Sequence, residues 1–379
     1  MVYLDHNATT PLDPIVLEAM LPYLRQHFGN AASRHEFGTL AGKAVECARE
    51  QVAQAVNAQP TQVIFTSGGT EANNFFIKGM AESFRSAQAV ISPIEHPCVM
   101  KPAEGLEKRG WKVRKLRVDG EGRVDMVDLD AALYEPTGFV SVMLANNETG
   151  VIQNIAEIAK TARARQALLH TDAVQALGKI PVDFHKLNVH AMSLSAHKVY
   201  GPKGAGALIL DKRIELKPLL AGGGHERGMR SGTLNVPAIV GFGAACELAM
   251  KDLEASARRM QALRDQLERG LRELGAVLFG ANAERLPNTS YFAVAGVAGE
   301  TLVVELDKLG FAVASGAACS SMKQGASEVL SAMNVPAEIA QGAVRVSLGK
   351  SNTEEDINEF LNALKAVLAR LQRLTAMTV

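Results

Sequence analysis

The sequence predicts an α/β protein: a large lobe built on a mainly parallel sheet between helices, followed by a smaller α+β unit. Three observations carry this. From residue 60, short continuous apolar runs alternate with amphipathic segments, the pattern of strands buried on both faces. After residue 241 the alternation stops, and a long helical stretch gives way to fewer strands. The 379 residues are enough for two cores.

The elements follow in order. The opening, MVYLDHNATTPLDP, has no basic region followed by an apolar one, so no secretory signal is expected. Asp13 can cap a first helix and Pro14 suits its first position, with Val16, Leu17, Met20, Leu21 and Leu24 on one face. A second helix is expected from about 36 to 56, striped by Ala41, Val45, Ala48, Val52 and Val56. Strands are expected at QVIFTS (62–67), AVISPI (89–94), WKVRKLRV (111–118), FVSVMLANN (139–147), ALLHTDA (167–173), HAMSLSAH (190–197) and GAGALIL (204–210). Helical segments such as IAEIAKTARARQ (155–166) fall between most of them. After RSGTLNVPAIVG (230–241) one long helical stretch runs to about Leu274. The strands NTSYFAVA (288–295), FAVAS (311–315) and AVRVSL (343–348) come next. A final helix starts after Thr353, which has capping-box spacing to Asp356. We therefore expect a large domain over 15–250, and a small domain made of 1–14 and 251–379.

Composition narrows the function. Hydrophobic residues make up 47% and charged residues 21%, as in an ordinary globular protein. Forty basic residues balance forty acidic ones, which argues against a broad nucleic-acid surface. No apolar run approaches the length of a membrane span. Cys47, Cys98, Cys246 and Cys319 are separated by 51, 148 and 73 residues, which matches no zinc pattern and no disulfide framework. A reducing cytoplasm and no metal site are the expectations.

Polar clusters sit at the predicted strand ends, where ligands bind in parallel sheets. TSGGTEAN (66–73) opens a helix: Gly69 lets backbone approach closely, and Thr70 adds a hydroxyl at a helix N-terminus. It matches neither dinucleotide nor P-loop nucleotide motifs. PIEHPCVM (93–100) places His96 past a strand. HTDAVQALGK (170–179) places Asp172 at a strand end, with Gln175 three residues on. SLSAHKVYGPKG (193–204) ends a strand with Ser195, His197 and Lys198. Singly, each has an ordinary account: a glycine turn with a threonine cap, a packed histidine, a capping carboxylate, a solvated lysine. Together they fit pyridoxal 5'-phosphate, which needs a lysine to bind its aldehyde, an acid beside its ring nitrogen, and a small-residue helix start for its phosphate.

Ten motifs in order then carry a family resemblance: YLDHNATTPLDP, HFGNAASRHEFG, TSGGTEANN, EHPCVM, NNETGVIQ, TDAVQALGKIPVD, SAHKVYGPKG, GGGHERGMRSGTLNV, ASGAACSS and VRVSLG. Along nearly its whole length the sequence resembles the cysteine desulfurases of the NifS/IscS family, within the fold-type-I pyridoxal-phosphate enzymes. The resemblance implies that these enzymes' large lobe, with its seven-stranded sheet, is present here. It implies removal of sulfur from L-cysteine, giving L-alanine and a persulfide on Cys319. Lys198 attaches the cofactor and takes the α-proton, Asp172 pairs with the ring nitrogen, and His96 stacks on the ring and acts as acid or base. Gln175 and Asn147 contact ring substituents; Gly69, Thr70, Ser195 and His197 hold the phosphate. Thr233 reaches the phosphate from a second subunit, which implies a homodimer. Arg345 receives the substrate carboxylate, a task that suits its fork.

Cys319, read alone, is a small residue in a turn or a presented thiol; by the resemblance it is the nucleophile, in a loop of small residues that suits reaching the cofactor and then an acceptor. The 26 positions from Cys319 to Arg345 resemble the long-loop group that includes NifS and IscS. The chain ends at LQRLTAMTV without the tail that IscS-type members use to dock an iron–sulfur scaffold, so the sulfur acceptor stays open: an iron–sulfur scaffold, a tRNA-thiolation carrier or a nitrogenase-specific factor. Two other readings remain, a selenocysteine lyase and a catalytically silent scaffold. Lys198, Asp172, His96, Cys319 and Arg345 together argue against the second, and an aminotransferase has no need of Cys319. Cys98, two residues from His96, either lines the pocket or packs, and packing is the favoured reading.

Overall fold

A computed structural model describes residues 1–84, 87–316 and 327–376. The seven apolar runs form one seven-stranded sheet. After the short β1 (Val2–Tyr3), its strands are β2 (Val63–Thr66), β3 (Gln88–Ile91), β4 (Lys112–Lys115), β5 (Thr137–Ser141), β6 (Leu168–Asp172), β7 (Ala191–Ser195) and β8 (Gly206–Leu210). They lie in the order β2-β8-β7-β6-β5-β3-β4. The pairs from β7 to β4 are parallel, and β8 runs against both its neighbours. Every residue of β2, β3, β7 and β8 is buried, which is why these strands read as continuous apolar runs rather than alternating ones. The edge strand β4 instead carries Lys112, Arg114 and Lys115, charges that discourage further pairing.

The helix signals hold. In α1 (Pro14–Arg25) the Asp13 side chain accepts from the Ile15 N–H, with Pro14 in the first position. α2 (Glu36–Ala55) buries Ala41, Val45, Ala48 and Val52 on its inner face. α3 (Gly69–Ser83) starts three residues past β2, and α4 (Pro97–Gly105) follows β3. The stretch read as one helix is two, Val236–Lys251 and Leu253–Glu273, broken at Asp252. No Gly or Pro announces the break. The first of the two packs on α1 and α2, and the second belongs to a different core.

That second core lies against β9 (Val277–Leu278), β10 (Thr289–Ala293), β11 (Phe311–Ala312), β12 (Ala314–Ser315) and β13 (Ala343–Ser347). Phe292, Val344, Leu263, Leu267, Phe360 and Leu364 are among its buried side chains. FAVAS, read as one strand, splits at Val313: β11 pairs with β1, while β12 joins an antiparallel sheet of order β12-β13-β10-β9. The final helix, Glu354–Ala376, has its capping box, with Thr353 N–H donating to Asp356 Oδ2 at 2.9 Å and Asp356 N–H to Thr353 Oγ1 at 3.2 Å. Among the described residues no helix is long and apolar enough to cross a membrane.

Residues 5–13 tie the two sheets together. Asp5 forms a parallel bridge with Ser347 at the end of β13. Thr10 N–H then donates to the His197 carbonyl at 2.9 Å and Asp13 N–H to the Tyr200 carbonyl at 3.0 Å, past the end of β7.

Candidate active site

A cleft of about 590 Å³ opens at the carboxyl ends of the parallel strands. It gathers residues spread over most of the chain: Gly69 and Thr70 from the start of α3, His96 from the cap of α4, Asn147 beyond β5, Asp172 at the end of β6, Gln175 just after it, Ser195 at the end of β7, His197 and Lys198 in the turn that follows, and Arg345 from β13. Of the residues the sequence singled out, the described structure brings all of these together. Thr233 is exposed and is not among the lining residues. Cys319 lies outside the described residues.

One end of the cleft is a glycine cradle. Gly206 of β8 faces the Gly68 backbone so closely that a Cβ on Gly206 would sit 2.6 Å from Gly68 Cα. Any side chain there would push the turn away. Gly69 is equally tight: its added Cβ would lie 2.7 Å from Val174 Cγ2 and 3.6 Å from Ser195 Cβ. The start of α3 directs backbone N–H groups and the positive end of the helix dipole into this space. The Ser195 hydroxyl is buried beside it and has no hydrogen-bond partner among the described residues. An unsatisfied buried hydroxyl next to a helix start is the environment a phosphate would complete.

Asp172 lies deeper. Its Oδ1 accepts from the Val174 N–H at 2.9 Å and its Oδ2 from Asn73 Nδ2 at 2.6 Å. Burial pushes its carboxyl above the ordinary range, against the pull of those hydrogen bonds and of His96 and Lys198. A cationic N–H partner would relieve that penalty. Burial also lowers His96 below the ordinary imidazole range, with Asp172 opposing. His197 is pushed down to about 4 by burial and by Lys198, Lys203 and Lys179, so it is neutral at pH 7; its Nδ1 meets Thr9 Oγ1 at 3.1 Å.

Lys198 is held by main-chain carbonyls: Nζ donates to Asn7 O at 2.5 Å and Ala8 O at 2.7 Å. Asn7 is the hub that sequence reasoning missed. Its carbonyl also accepts from Gln175 Nε2 at 2.9 Å, its Oδ1 accepts from Lys179 Nζ at 2.9 Å, and its Nδ2 donates to the Asn147 carbonyl at 3.2 Å. Lys179 in turn donates to Gln175 Oε1 at 2.7 Å, which fixes the amide so that Nε2 faces Asn7. Burial drives Lys179 well below the usual lysine range, with Lys198 and Arg345 adding to it. The local signal for this network was no more than a polar run, DHNATT, with no helical or strand period.

Arg345 donates from Nη1 to the Asn147 carbonyl at 2.9 Å and from Nη2 to Asp5 Oδ1 at 2.6 Å. Cys98 corrects the expectation that it packs: it lines the cleft. The His96 side chain caps α4 by accepting from the Cys98 N–H, which turns the thiol inward, 2.8 Å from His96 Nδ1 and 3.0 Å from Asn73 Nδ2. Burial pushes this thiol up to about 12, so it is protonated and a poor nucleophile.

The residues fit pyridoxal 5'-phosphate on three counts: a cradle with an unsatisfied hydroxyl, a buried carboxyl that a cationic N–H would stabilise, and a lysine in the same cleft. What the arrangement can do is hold a phosphorylated ring, keep its nitrogen protonated, and bind a carboxylate near it.

Comparison with known proteins agrees. Residues 2–360 match the family described as Aminotransferase class-V. The cysteine desulfurase IscS of Dictyoglomus turgidum is 44% identical, over 99% of this chain and 96% of that one. A solved NifS-like protein superposes with a TM-score of 0.92 at 40% identity, covering 97% of this chain and 99% of its own. A structure described as SspA in complex with cysteine superposes with a TM-score of 0.83 at 32% identity, covering 92% of this chain and 99% of its own.

Proposed function

The chain belongs to the class-V aminotransferase family and has the activity of its cysteine desulfurases; on that premise we propose how its own residues carry out the reaction. The observation that carries the proposal is the convergence of Lys198, Asp172, the Gly69–Thr70 helix start and Arg345 on one cleft. Pyridoxal 5'-phosphate, when bound, supplies an electron sink for the bond changes at the substrate's α-carbon. Lys198 attaches it, and Gly69, Thr70, Ser195 and His197 hold its phosphate. Asp172 would keep the ring nitrogen protonated, Gln175 and Asn147 would orient the ring substituents, and His96 would lie against the ring as its proton donor and acceptor. Arg345 receives the substrate carboxylate, which aims the Cα–H bond at Lys198 as base.

The Cys319 thiolate then takes the sulfur of L-cysteine. The carbon–sulfur bond breaks as a sulfur–sulfur bond forms, and protonation of the carbon gives L-alanine. No outside oxidant is needed, since the electron pair of the broken carbon–sulfur bond stays with the β-carbon, which is reduced and protonated as the sulfur is oxidised. The related SspA structure with cysteine supports this substrate. Transfer onward goes to a sulfur-acceptor protein such as an iron–sulfur scaffold.

We propose a homodimer in which Thr233 completes the partner's phosphate site. Support comes from Thr233 lying exposed away from its own cleft, and from the exposed Ile15, Leu24, Phe28 and Phe37, with the two phenylalanine rings stacked at 5.6 Å. The three described cysteines are unpaired, which supports a cytoplasmic location. The division into 15–250 and 1–14 with 251–379 belongs to the same reading.

The test is borohydride reduction of the purified protein followed by peptide mass spectrometry. The pyridoxyl group is expected on Lys198, and Lys198→Ala is expected to lose both the attachment and alanine formation from cysteine. A label on Lys203 would sink the assignment.

A further inference from the structure

We infer that Asp5 sets how strongly this cleft accepts a carboxylate, by holding Arg345 in competition with the substrate. The inference rests on Arg345 as the carboxylate receptor.

The Arg345 guanidinium is buried, with 6% of the residue exposed, and its nitrogens are in three different situations. Nη1 is taken by the Asn147 carbonyl, Nη2 by the Asp5 carboxylate, and Nε has no hydrogen-bond partner among the described residues. A buried donor left unpaired is costly. A carboxylate that bridges Nε and Nη2, the usual side-on fork, arrives at the nitrogen Asp5 already occupies.

Asp5 is fixed where it is. Its bridge to Ser347 is reinforced by Ser347 N–H donating to the Leu4 carbonyl at 2.7 Å, by His6 N–H donating to the Ser347 carbonyl at 3.1 Å, and by Asn7 N–H donating to Ser347 Oγ at 2.9 Å. Ser347 lies two residues beyond Arg345 on β13, so Asp5 and Arg345 are carried on one scaffold. Both line the cleft. Glu148, on the acidic side, and Lys179, on the basic side, also interact electrostatically with Arg345, as do the Tyr3 and Tyr291 hydroxyls.

An arriving carboxylate therefore meets a cation already neutralised at contact distance. Two carboxylates then contend for one guanidinium in a space with little water, and like charges repel strongly there. The result is an affinity below what the fork alone could give. The cost falls on every ligand held through a carboxylate and not on one that lacks it. Asp5 thus tunes the affinity of the cleft for carboxylates.

The test uses the holoenzymes of Asp5→Asn and Asp5→Ser, each checked for native cofactor absorbance. KM for L-cysteine is measured, with inhibition constants for L-alanine, propionate and cysteamine. In both variants the constants for the three carboxylates are expected to fall together by about tenfold, the effect of removing one like charge nearby. Cysteamine, which has no carboxylate, is expected to stay within about twofold. Weaker binding of the carboxylates, or an equal change for cysteamine, overturns the inference. Arg345→Ala separates the two layers. If it raises KM for cysteine while the Asp5 variants change nothing, Asp5 does not compete and the receptor stands. If it leaves KM unchanged, the receptor reading falls and the inference falls with it.

Discussion

Replacing Asp172 with asparagine separates its chemical role from its structural one. The two side chains have the same shape. The amide oxygen introduced by Asp172→Asn can keep the Val174 N–H, now bonded at 2.9 Å. The Asp172 contact with Asn73 Nδ2, at 2.6 Å, becomes donor against donor. However, the Asn73 Oδ1 is buried without a hydrogen-bond partner among the described residues, so a turn of that amide offers an acceptor and restores the pair. The substitution also removes a carboxyl that burial disfavours in its charged form. Fold stability without cofactor should therefore be unchanged or higher. The cofactor side loses a charge-assisted hydrogen bond, worth about 1.5–3 kcal/mol, or about 10- to 150-fold in the step that needs the protonated ring. Turnover should fall by at least that factor, with KM changing less. Urea midpoints with and without cofactor, cofactor affinity by absorbance, and alanine release measure the three terms. A large loss of stability without cofactor would make Asp172 a structural residue. Turnover within about threefold of native would mean that another group faces the ring nitrogen, since less than about 0.7 kcal/mol is then at stake.

The cradle and the buried histidines give further expectations. Gly69→Ala drives a methyl to within 2.7 Å of Val174 Cγ2, an overpacking worth about 1–3 kcal/mol at the phosphate end. Cofactor affinity in an absorbance titration should fall at least about fivefold, and native affinity would place the phosphate elsewhere. His170 is fully buried between Ser141 Oγ at 2.9 Å and Ser193 Oγ at 3.0 Å, stacked on Phe76, and burial pushes it down to about 3. Unfolding lets it regain its ordinary pKa, so the unfolded chain binds the extra proton between about pH 6.5 and 3. The stability contributed by the neutral ring is therefore complete above that window and lost as the pH falls through it. The stability gap between the native chain and His170→Asn should narrow from about pH 7 to about pH 5; a constant gap would show that His170 does not titrate on unfolding.

Much of the large lobe was legible because its strands are buried on both faces and so read as unbroken apolar runs. Local chemistry was equally legible where one residue decides it, as at Asp13, Pro14 and the Thr353–Asp356 box. What escaped was long-range. β1 and β9 are two residues each, and β1 is defined by pairing Val2 with Phe311, at the far end of the chain. The break at Asp252 reflects a change of packing partner, which no breaker residue marks. Of the cleft residues proposed to carry chemistry, Thr70, His96, Asp172, Gln175, Ser195, His197 and Lys198 stood out because strand ends concentrate polar groups, whereas Asn147 and Arg345 were named only through the family resemblance. Asp5, Asn7 and Lys179 did not stand out, because their meaning lies in one another: Asn7 bonds to residues at 147, 175, 179, 198 and 289. Cys98 was misjudged because its orientation follows from the His96 cap and not from its own neighbours.

The central claim is that the sulfur of L-cysteine moves to Cys319. The holoenzyme is given L-cysteine without reductant, quenched, and digested, and the peptide containing Cys319 is weighed while alanine is counted. The expected result is one extra sulfur on that peptide for each alanine in the first turnover, with Cys319→Ala binding cysteine but releasing no alanine. Alanine released by Cys319→Ala at a near-native rate, or the extra sulfur found on Cys98 instead, would contradict it.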